Sequence, residues 1–94
     1  MQDLLDQIQE MRIAKGWDKT DTPEILAKST LIEAAELLEC FTENGFQIDH
    51  VKSEIADVLM YVLSLAMDLN LDPKSIILEK FSDIHQRYPN LDHD

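Results

Sequence analysis

The chain has 94 residues, of which 45% are hydrophobic and 29% charged, a composition typical of one small globular domain rather than of a disordered segment. Its 19 acidic residues outnumber 8 basic ones and give a net charge of −11, which disfavours both a nucleic-acid polymer and an anionic membrane as partners. The single Cys40 excludes an intrachain disulfide framework, and the acidic, amphipathic N-terminus does not resemble a secretion signal, so a cytoplasmic protein is predicted.

The first helix is predicted near the N-terminus. Leu4, Ile8 and Met11 recur at helical spacing, and Gly16 follows where a glycine commonly caps the C-terminal end of a helix. An irregular stretch that contains Trp17 is expected to connect this helix with the next one.

A second helix is predicted to run from Pro23 to about Glu43. Thr22 is a favourable N-cap residue, proline is common at the first helical position, and Asn44-Gly45 signals the end. One face of this helix is an apolar stripe with the spacing i, i+4, i+7, i+11 and i+14, made of Ala27, Leu31, Ala34, Leu38 and Phe41. The neighbouring face carries Ser29, Glu33, Glu36 and Cys40.

The third helix is predicted to run from a cap at Asp49 to Asn70. Between residues 55 and 67 it is apolar nearly all round, which is typical of a helix that is covered on every side. That segment includes Asp57 and Ser64 and is shorter than the ~20 residues that span a bilayer, so no membrane anchor is expected.

A fourth helix is predicted after Asp72 and Pro73, which repeat the cap and proline of the second helix, and it should stop before Pro89. Its apolar face consists of Ile77, Phe81, Ile84 and Tyr88. The sequence shows no strand-like alternation, internal repeat or glycine-rich phosphate loop. It therefore predicts a single all-α domain over residues 1–94, built as a four-helix subunit with a tail at residues 90–94.

Two pairs of acidic residues form the candidate metal site. Glu33 lies three residues before Glu36, so both lie on one helix face with Cβ atoms about 5–6 Å apart. Glu54 and Asp57 have the same spacing. The connection between the second and third helices is short, which favours an antiparallel pair. If the chain reverses between residues 45 and 46, residue 36 lies level with residue 55 and residue 33 with residue 58. Each acid of one pair then lies within about one residue, ~1.5 Å of axial rise, of an acid of the other.

An acidic pair on a helix usually belongs to the solvated surface, but these pairs stand among apolar neighbours. Unpaired carboxylates are costly there, and four together repel one another, so a bound cation is the simplest compensation. Oxygen-only ligands favour Mg²⁺ or Mn²⁺ over zinc, and the absence of a Glu-x-x-His motif disfavours a di-iron site. His50, one turn before Glu54, is either a further ligand or, as is commoner at a helix start, a solvent-facing side chain.

Motifs along most of the chain carry a resemblance to a known family. Glu33-x-x-Glu36 and Glu54-x-x-Asp57, separated by 17 residues, look like the signature of the MazG-like, all-α nucleoside triphosphate pyrophosphohydrolases. Further segments similar to that family are Gly16-Trp17, Thr22-Pro23, Leu26-Ala27, the run from Glu54 to Tyr61, Glu79-Lys80-Phe81 and Arg87-Tyr88-Pro89.

This resemblance implies the reaction and the roles of the acids. It implies Mg²⁺-dependent hydrolysis, with Mn²⁺ as an alternative ion, of a (deoxy)nucleoside triphosphate to the monophosphate and pyrophosphate, in house-cleaning of the nucleotide pool. Such an ion bridges phosphate oxygens, neutralises developing charge and lowers the pKa of the attacking water. Glu36, Glu54 and Asp57 are then chiefly metal ligands. Glu33 and Glu36 are the expected catalytic residues, with Glu33 either a ligand or the general base that orients the water.

Four residues are candidates for substrate binding. A strongly acidic protein needs local positive charge to hold a polyanion, which singles out Lys80 and Arg87, although both could instead be solvated surface cations. By their positions among the family motifs, Trp17 and Tyr61 either border the base or belong to the core. Many relatives carry Phe-His where this chain has Thr20-Asp21, so base recognition is expected to differ.

The expected assembly is a homotetramer built from dimers, since small relatives form dimers or tetramers whose helical bundles cover the third helix. Two rival functions stay open. A non-catalytic acidic helical module, of a regulatory or antitoxin-like kind that binds a basic protein, is supported only by the net charge of −11. A metal-dependent phosphomonoester or phosphodiester hydrolase would keep the site and change the reaction.

Overall fold

The computed structural model describes residues 1–91, which form an all-α chain. The helices are α1 Gln2–Ala14, α2 Trp17–Thr20, α3 Pro23–Glu39, α4 Ile48–Asp68 and α5 Pro73–Arg87. The all-α prediction is thereby confirmed, while residues 92–94 of the predicted tail lie outside the described residues. Within residues 1–91, no helix combines the length and the apolar character that crossing a membrane requires.

The stretch around Trp17, predicted to be irregular, is the one-turn helix α2, so the four predicted helices are joined by a short fifth. Gly16 allows the sharp turn between α1 and α2, because its φ of 76° lies in the left-handed region that favours glycine. Its backbone N–H donates to the Ile13 carbonyl at 3.1 Å. Across this turn the ammonium of Lys15, the residue after α1, lies 5.7 Å from the centroid of the Trp17 ring.

The predicted caps of α3 and α5 are both present. The Thr22 hydroxyl accepts a hydrogen bond from the Ile25 backbone N–H at 3.2 Å, and the Asp72 carboxylate accepts one from Ser75 N–H at 3.3 Å. In each helix a proline follows the cap, where its missing N–H has no helical partner to lose.

The connection between α3 and α4 is longer than predicted. α3 ends at Glu39 rather than near residue 43, and α4 starts at Ile48 behind Gln47, so Asp49 lies in the first turn instead of capping it. The reason is a tight turn in which Thr42 and Gly45 exchange backbone hydrogen bonds of 3.2 and 3.0 Å. At its other end α4 stops at Asp68, two residues before the predicted end.

A small core joins α1 to α4. It buries Leu5, Ile8 and Arg12 on one face of α1, whereas Leu4, which the predicted apolar face included, is 49% exposed. Arg12 is only 2% exposed and binds the Asp68 carboxylate with both terminal nitrogens, at 2.9 and 3.0 Å. A charged side chain thus occupies a core position, because its partner lies at the end of α4.

α3 turns its polar face, and not its apolar stripe, towards α4. Glu33 and Leu37 are half-buried at this contact, which is the most extensive between any two helices, and Leu26 is buried. On the stripe, Leu31 and Leu38 are 72% and 73% exposed. The prediction that α4 is covered on every side is not met within one chain either, because Leu59 is 50% exposed.

Candidate metal centre

Three of the four predicted acids meet at the contact between α3 and α4. Glu33, Glu36 and Glu54 each offer a carboxylate oxygen, and these oxygens lie within 4.8 Å of one another. Glu36 thus meets Glu54 across the two helices, as the sequence register predicts, whereas Asp57, predicted to lie level with Glu33, is not part of the group. The helices therefore fix the three carboxylates without any contribution from a loop.

The acids are packed closely enough to disturb one another. The pKa of Glu33 is raised from 4.5 to about 7, first by its contact with the Glu36 carboxyl and then by burial, with smaller contributions from Glu54 and Asp57. One oxygen of Glu33 and one of Glu54, Oε2 in each case, are buried without a hydrogen-bond donor. Buried acceptors normally have a donor, so these two oxygens point to a ligand.

A hard divalent cation fits this set of donors. Three carboxylates supply only oxygen, the ligand atom that Mg²⁺ and Mn²⁺ prefer, and a dication would pair with the two oxygens that lack donors. His50 lies beside the cluster, with its Nε2 3.6 Å from Glu54 Oε1, but its side chain is 66% exposed. It is therefore placed to cover the edge of the cluster rather than to fill it.

Asp57 lies beside the cluster rather than within it. Its carboxylate is outside the group of oxygens that meet within 4.8 Å, although it is near enough to raise the pKa of Glu33. It also lines an adjoining cavity of about 260 Å³. Asp57 thus stands at the boundary between the carboxylate cluster and this cavity.

The cavity, here called the aromatic cavity, contains both predicted base-binding residues. It is lined by Trp17 and Tyr61 together with apolar side chains such as Leu26 and Met60. The remaining lining residues include Arg12, Asp21 and Ser64. Burial, first of all, raises the pKa of the Tyr61 hydroxyl, and the charges of Glu33, Asp21 and Asp57 add to the effect.

Sequence reasoning did not assign Arg12 or Asp21 to a site. Arg12 gave a signal that could have been used, because it follows Ile8 by four residues on the buried face of α1, where an arginine needs a partner. Asp21 lies in the connection after α2, a helix that the periodicity did not predict.

Lys80 and Arg87, the predicted phosphate contacts, are not brought to the carboxylates. Both lie on α5 and pair with Asp83 of the same helix, at 3.4 Å from Lys80 and 2.9 Å from Arg87. Neither lines the aromatic cavity, and α5 packs against α4. A role for them in phosphate binding stays a prediction.

The chain has relatives among known proteins. The model of the MazG-like family matches residues 27–94, a region that contains all four acids. The fold is similar to that of a pyrophosphatase from Archaeoglobus fulgidus DSM 4304, with a TM-score of 0.84 and 36% sequence identity over 96% of this chain and 93% of that one. No match was found among curated proteins. The chain therefore belongs to the MazG-like family.

Proposed function

We propose that the protein hydrolyses nucleoside triphosphates, deoxynucleotides among them, to the monophosphate and pyrophosphate in a reaction that depends on Mg²⁺, or on Mn²⁺ in its place. The observation that carries this proposal is the cluster of three carboxylates with two buried oxygens that lack donors. Membership of the MazG-like family and the likeness to an archaeal pyrophosphatase support it.

The position of each acid suggests its role. Glu36 and Glu54 would serve chiefly as ligands, and Asp57, which lies beside the cluster, would have to turn towards the ion to join them. The bound ion would neutralise charge on the phosphate oxygens and activate water. Glu33 is either a fourth ligand or the general base. Its pKa of about 7 without the ion suits a group that takes up a proton near neutral pH.

The substrate would extend from the carboxylates into the aromatic cavity. Trp17 and Tyr61 would border the base there, while Asp57 lies between this cavity and the cluster. Lys80 and Arg87 would contact phosphate only if α5 of another subunit approaches the site, since in their own chain both are paired with Asp83. A house-cleaning role in the cytoplasmic nucleotide pool is the corresponding biological proposal.

A homotetramer is the proposed assembly. The exposed stripe of α3 has the alternating three- and four-residue spacing of a coiled-coil seam, which packs on another helix of the same kind. The chain also has a radius of gyration of 16.5 Å, whereas a compact domain of this length has about 12 Å. Other subunits are the natural cover for a helical surface this apolar and this open.

Analysis of the reaction products tests the proposal. Purified protein is incubated with Mg²⁺ and each of the four common deoxynucleoside triphosphates, with a chelator control. Release of pyrophosphate and monophosphate is expected, and the chelator should stop it. Orthophosphate as the first product would instead show removal of the terminal phosphate and contradict the proposed reaction. Turnover of a phosphomonoester or phosphodiester in place of the nucleotides would support the rival hydrolase, and no turnover of any substrate would favour a non-catalytic acidic module.

A further inference from the structure

Asp21 is an acceptor without a partner on the wall of the aromatic cavity. It is half-buried, and within residues 1–91 its carboxylate has no hydrogen bond or ion pair to another side chain and is not among the buried oxygens that lack a donor, so it is open to solvent. Its backbone N–H donates to the Trp17 carbonyl at 2.9 Å. The main chain of Asp21 is thus fixed at the end of α2, and its carboxylate remains available to a ligand.

The surroundings of Asp21 fit a flat, aromatic ligand. Trp17, Asp21 and Tyr61 line the aromatic cavity and also a second cavity of about 260 Å³ that reaches Ser29. Ser29 lies one turn before Glu33, and Asp57 lies one turn before Tyr61. A ring bound beside the two aromatic side chains would therefore lie next to the acids on both helices, and Asp21 would meet its edge.

Arg12 explains how a carboxylate can stand there without a partner. Its buried guanidinium lines the same cavity, and its pKa is raised first by the hydrogen bond to Asp68 and further by the charges of Asp21 and Asp18. Arg12 thus attracts Asp21 electrostatically without a hydrogen bond to it, because its terminal nitrogens are engaged by Asp68 and Gln9 at 2.9 to 3.0 Å and its Nε has no partner within residues 1–91. The lone pairs of Asp21 therefore stay free.

The chemistry of a carboxylate decides which base fits. Ionised, it only accepts hydrogen bonds, and it pairs best with two parallel donors. Guanine presents such a pair, N1–H beside the 2-amino group. Adenine and cytosine present a ring acceptor beside their amino group, and thymine has one N–H between two carbonyls, so each of these sets an acceptor against the carboxylate.

We propose that Asp21 is a specificity-determining residue that selects guanine nucleotides, by accepting hydrogen bonds from N1–H and the 2-amino group of a base held beside Trp17 and Tyr61. This proposal is about which base is bound. It rests on the proposed function only in that the bound nucleotide is then hydrolysed.

Binding of two monophosphates that differ in one group tests the selection. dGMP carries the 2-amino group and dIMP lacks it, and Trp17 is the only tryptophan of the chain, so its fluorescence reports binding without any turnover. In Mg²⁺ buffer the wild type should bind dGMP about tenfold more tightly than dIMP, the size expected for one hydrogen bond to a charged acceptor, because dIMP keeps N1–H and lacks only the 2-amino group. Equal affinity for the two, or no response of Trp17 to either, would overturn the proposal.

Variants of Asp21 test whether this residue causes the preference for dGMP over dIMP. Asp21→Asn and Asp21→Ala should bring the two affinities to within about twofold, because both remove the charged acceptor. Asp18→Asn is the matched control, since Asp18 also attracts Arg12 but does not line either cavity, and it should keep the tenfold preference. A preference that survives in both Asp21 variants would exclude Asp21 as the selecting residue.

Hydrolysis of dGTP and dITP separates this inference from the proposed function. Turnover with a preference for dGTP that is lost in Asp21→Asn supports both. Turnover without any preference refutes the selection and leaves the reaction standing. No turnover, combined with a Trp17 response that distinguishes dGMP from dIMP, supports the selection and refutes the reaction.

Discussion

At the scale of single residues, Glu33 shows how the metal centre depends on its neighbours. An isolated glutamate at its position would be an ordinary solvated acid, but Glu36 and Glu54 are close enough to hold its pKa near 7. The spacing of the acids made this crowding predictable. What spacing could not predict is which oxygens lack donors, because that depends on the burial of Oε2 in Glu33 and Glu54.

The raised pKa of Glu33 predicts that the metal-free protein is less stable at high pH. Folded Glu33 keeps its proton up to about pH 7 and the unfolded residue only up to 4.5, so the folded state binds more protons between these values. The stabilisation is fully present below pH 4.5 and is lost as the pH rises through about 7. Urea denaturation at about pH 5 and about pH 8 in the presence of a chelator measures the loss.

Glu33→Gln is the comparison for this measurement, because its amide does not titrate. The difference in unfolding midpoint between about pH 5 and pH 8 should be smaller in the variant than in the wild type, and Mg²⁺ should restore wild-type stability at the higher pH. The same pH dependence in both proteins would show that Glu33 is not the responsible group.

The ion pair between the buried Arg12 and the partly exposed Asp68 predicts a second effect on stability. Asp68→Ala should lower the free energy of unfolding by about 2 kcal/mol, less than the roughly 3–5 kcal/mol for breaking a fully buried pair, since Arg12 is 2% exposed but Asp68 27%. Lys28→Ala is the control, because it breaks an exposed pair with Glu24 and should cost less than about 0.5 kcal/mol. Urea denaturation compares the two, and equal losses would contradict the role given to Arg12.

At the scale of elements, the ends of helices were easier to predict when a side chain caps them. Thr22 and Asp72 carry their signal in the residue type and in the following proline, so the starts of α3 and α5 are correct. The short helix α2 has four residues and no apolar repeat, so it leaves no periodic pattern to find. The end of α3 depends on the turn between Thr42 and Gly45, which only the folded backbone reveals.

The cap of α3 gives the prediction at this scale. Thr22→Ala should lower the free energy of unfolding by about 1 kcal/mol, because the Ile25 N–H loses its acceptor, whereas Thr22→Ser should keep most of the stability. Thr20→Ala is the control, since Thr20 is an exposed residue of α2. Chemical denaturation with circular dichroism measures all three variants, and a loss in Thr20→Ala as large as in Thr22→Ala would contradict the cap.

At the scale of the whole molecule, the single chain is more open than a compact monomer of its mass. It exposes 7607 Å² of surface, whereas a compact monomer of 10.8 kDa exposes about 5500 Å². Periodicity located the apolar stripe of α3 correctly but could not tell whether its cover comes from the same chain. In the structure α4 packs on the polar face of α3, so α4 of the same chain does not cover the apolar stripe.

The proposed tetramer predicts a solution mass of about four times 10.8 kDa by light scattering at micromolar concentration. Leu38→Glu should lower that mass, because it puts a charge into the exposed stripe of α3 without touching the core of the chain. Thr20→Glu adds the same charge on α2 and should leave the mass unchanged. A wild-type protein that runs as a stable monomer would refute the assembly.

The role of the carboxylates in a metal-dependent hydrolysis is tested by comparing the wild type with two variants of α3. Pyrophosphate release from a deoxynucleoside triphosphate is measured with Mg²⁺ for the wild type, Glu36→Gln and Glu39→Gln. Glu36 belongs to the cluster and Glu39, one turn later on α3, does not, so the first variant should lose at least about 100-fold in kcat and the second should match the wild type. Full activity of Glu36→Gln, with its helical content intact, would contradict the account.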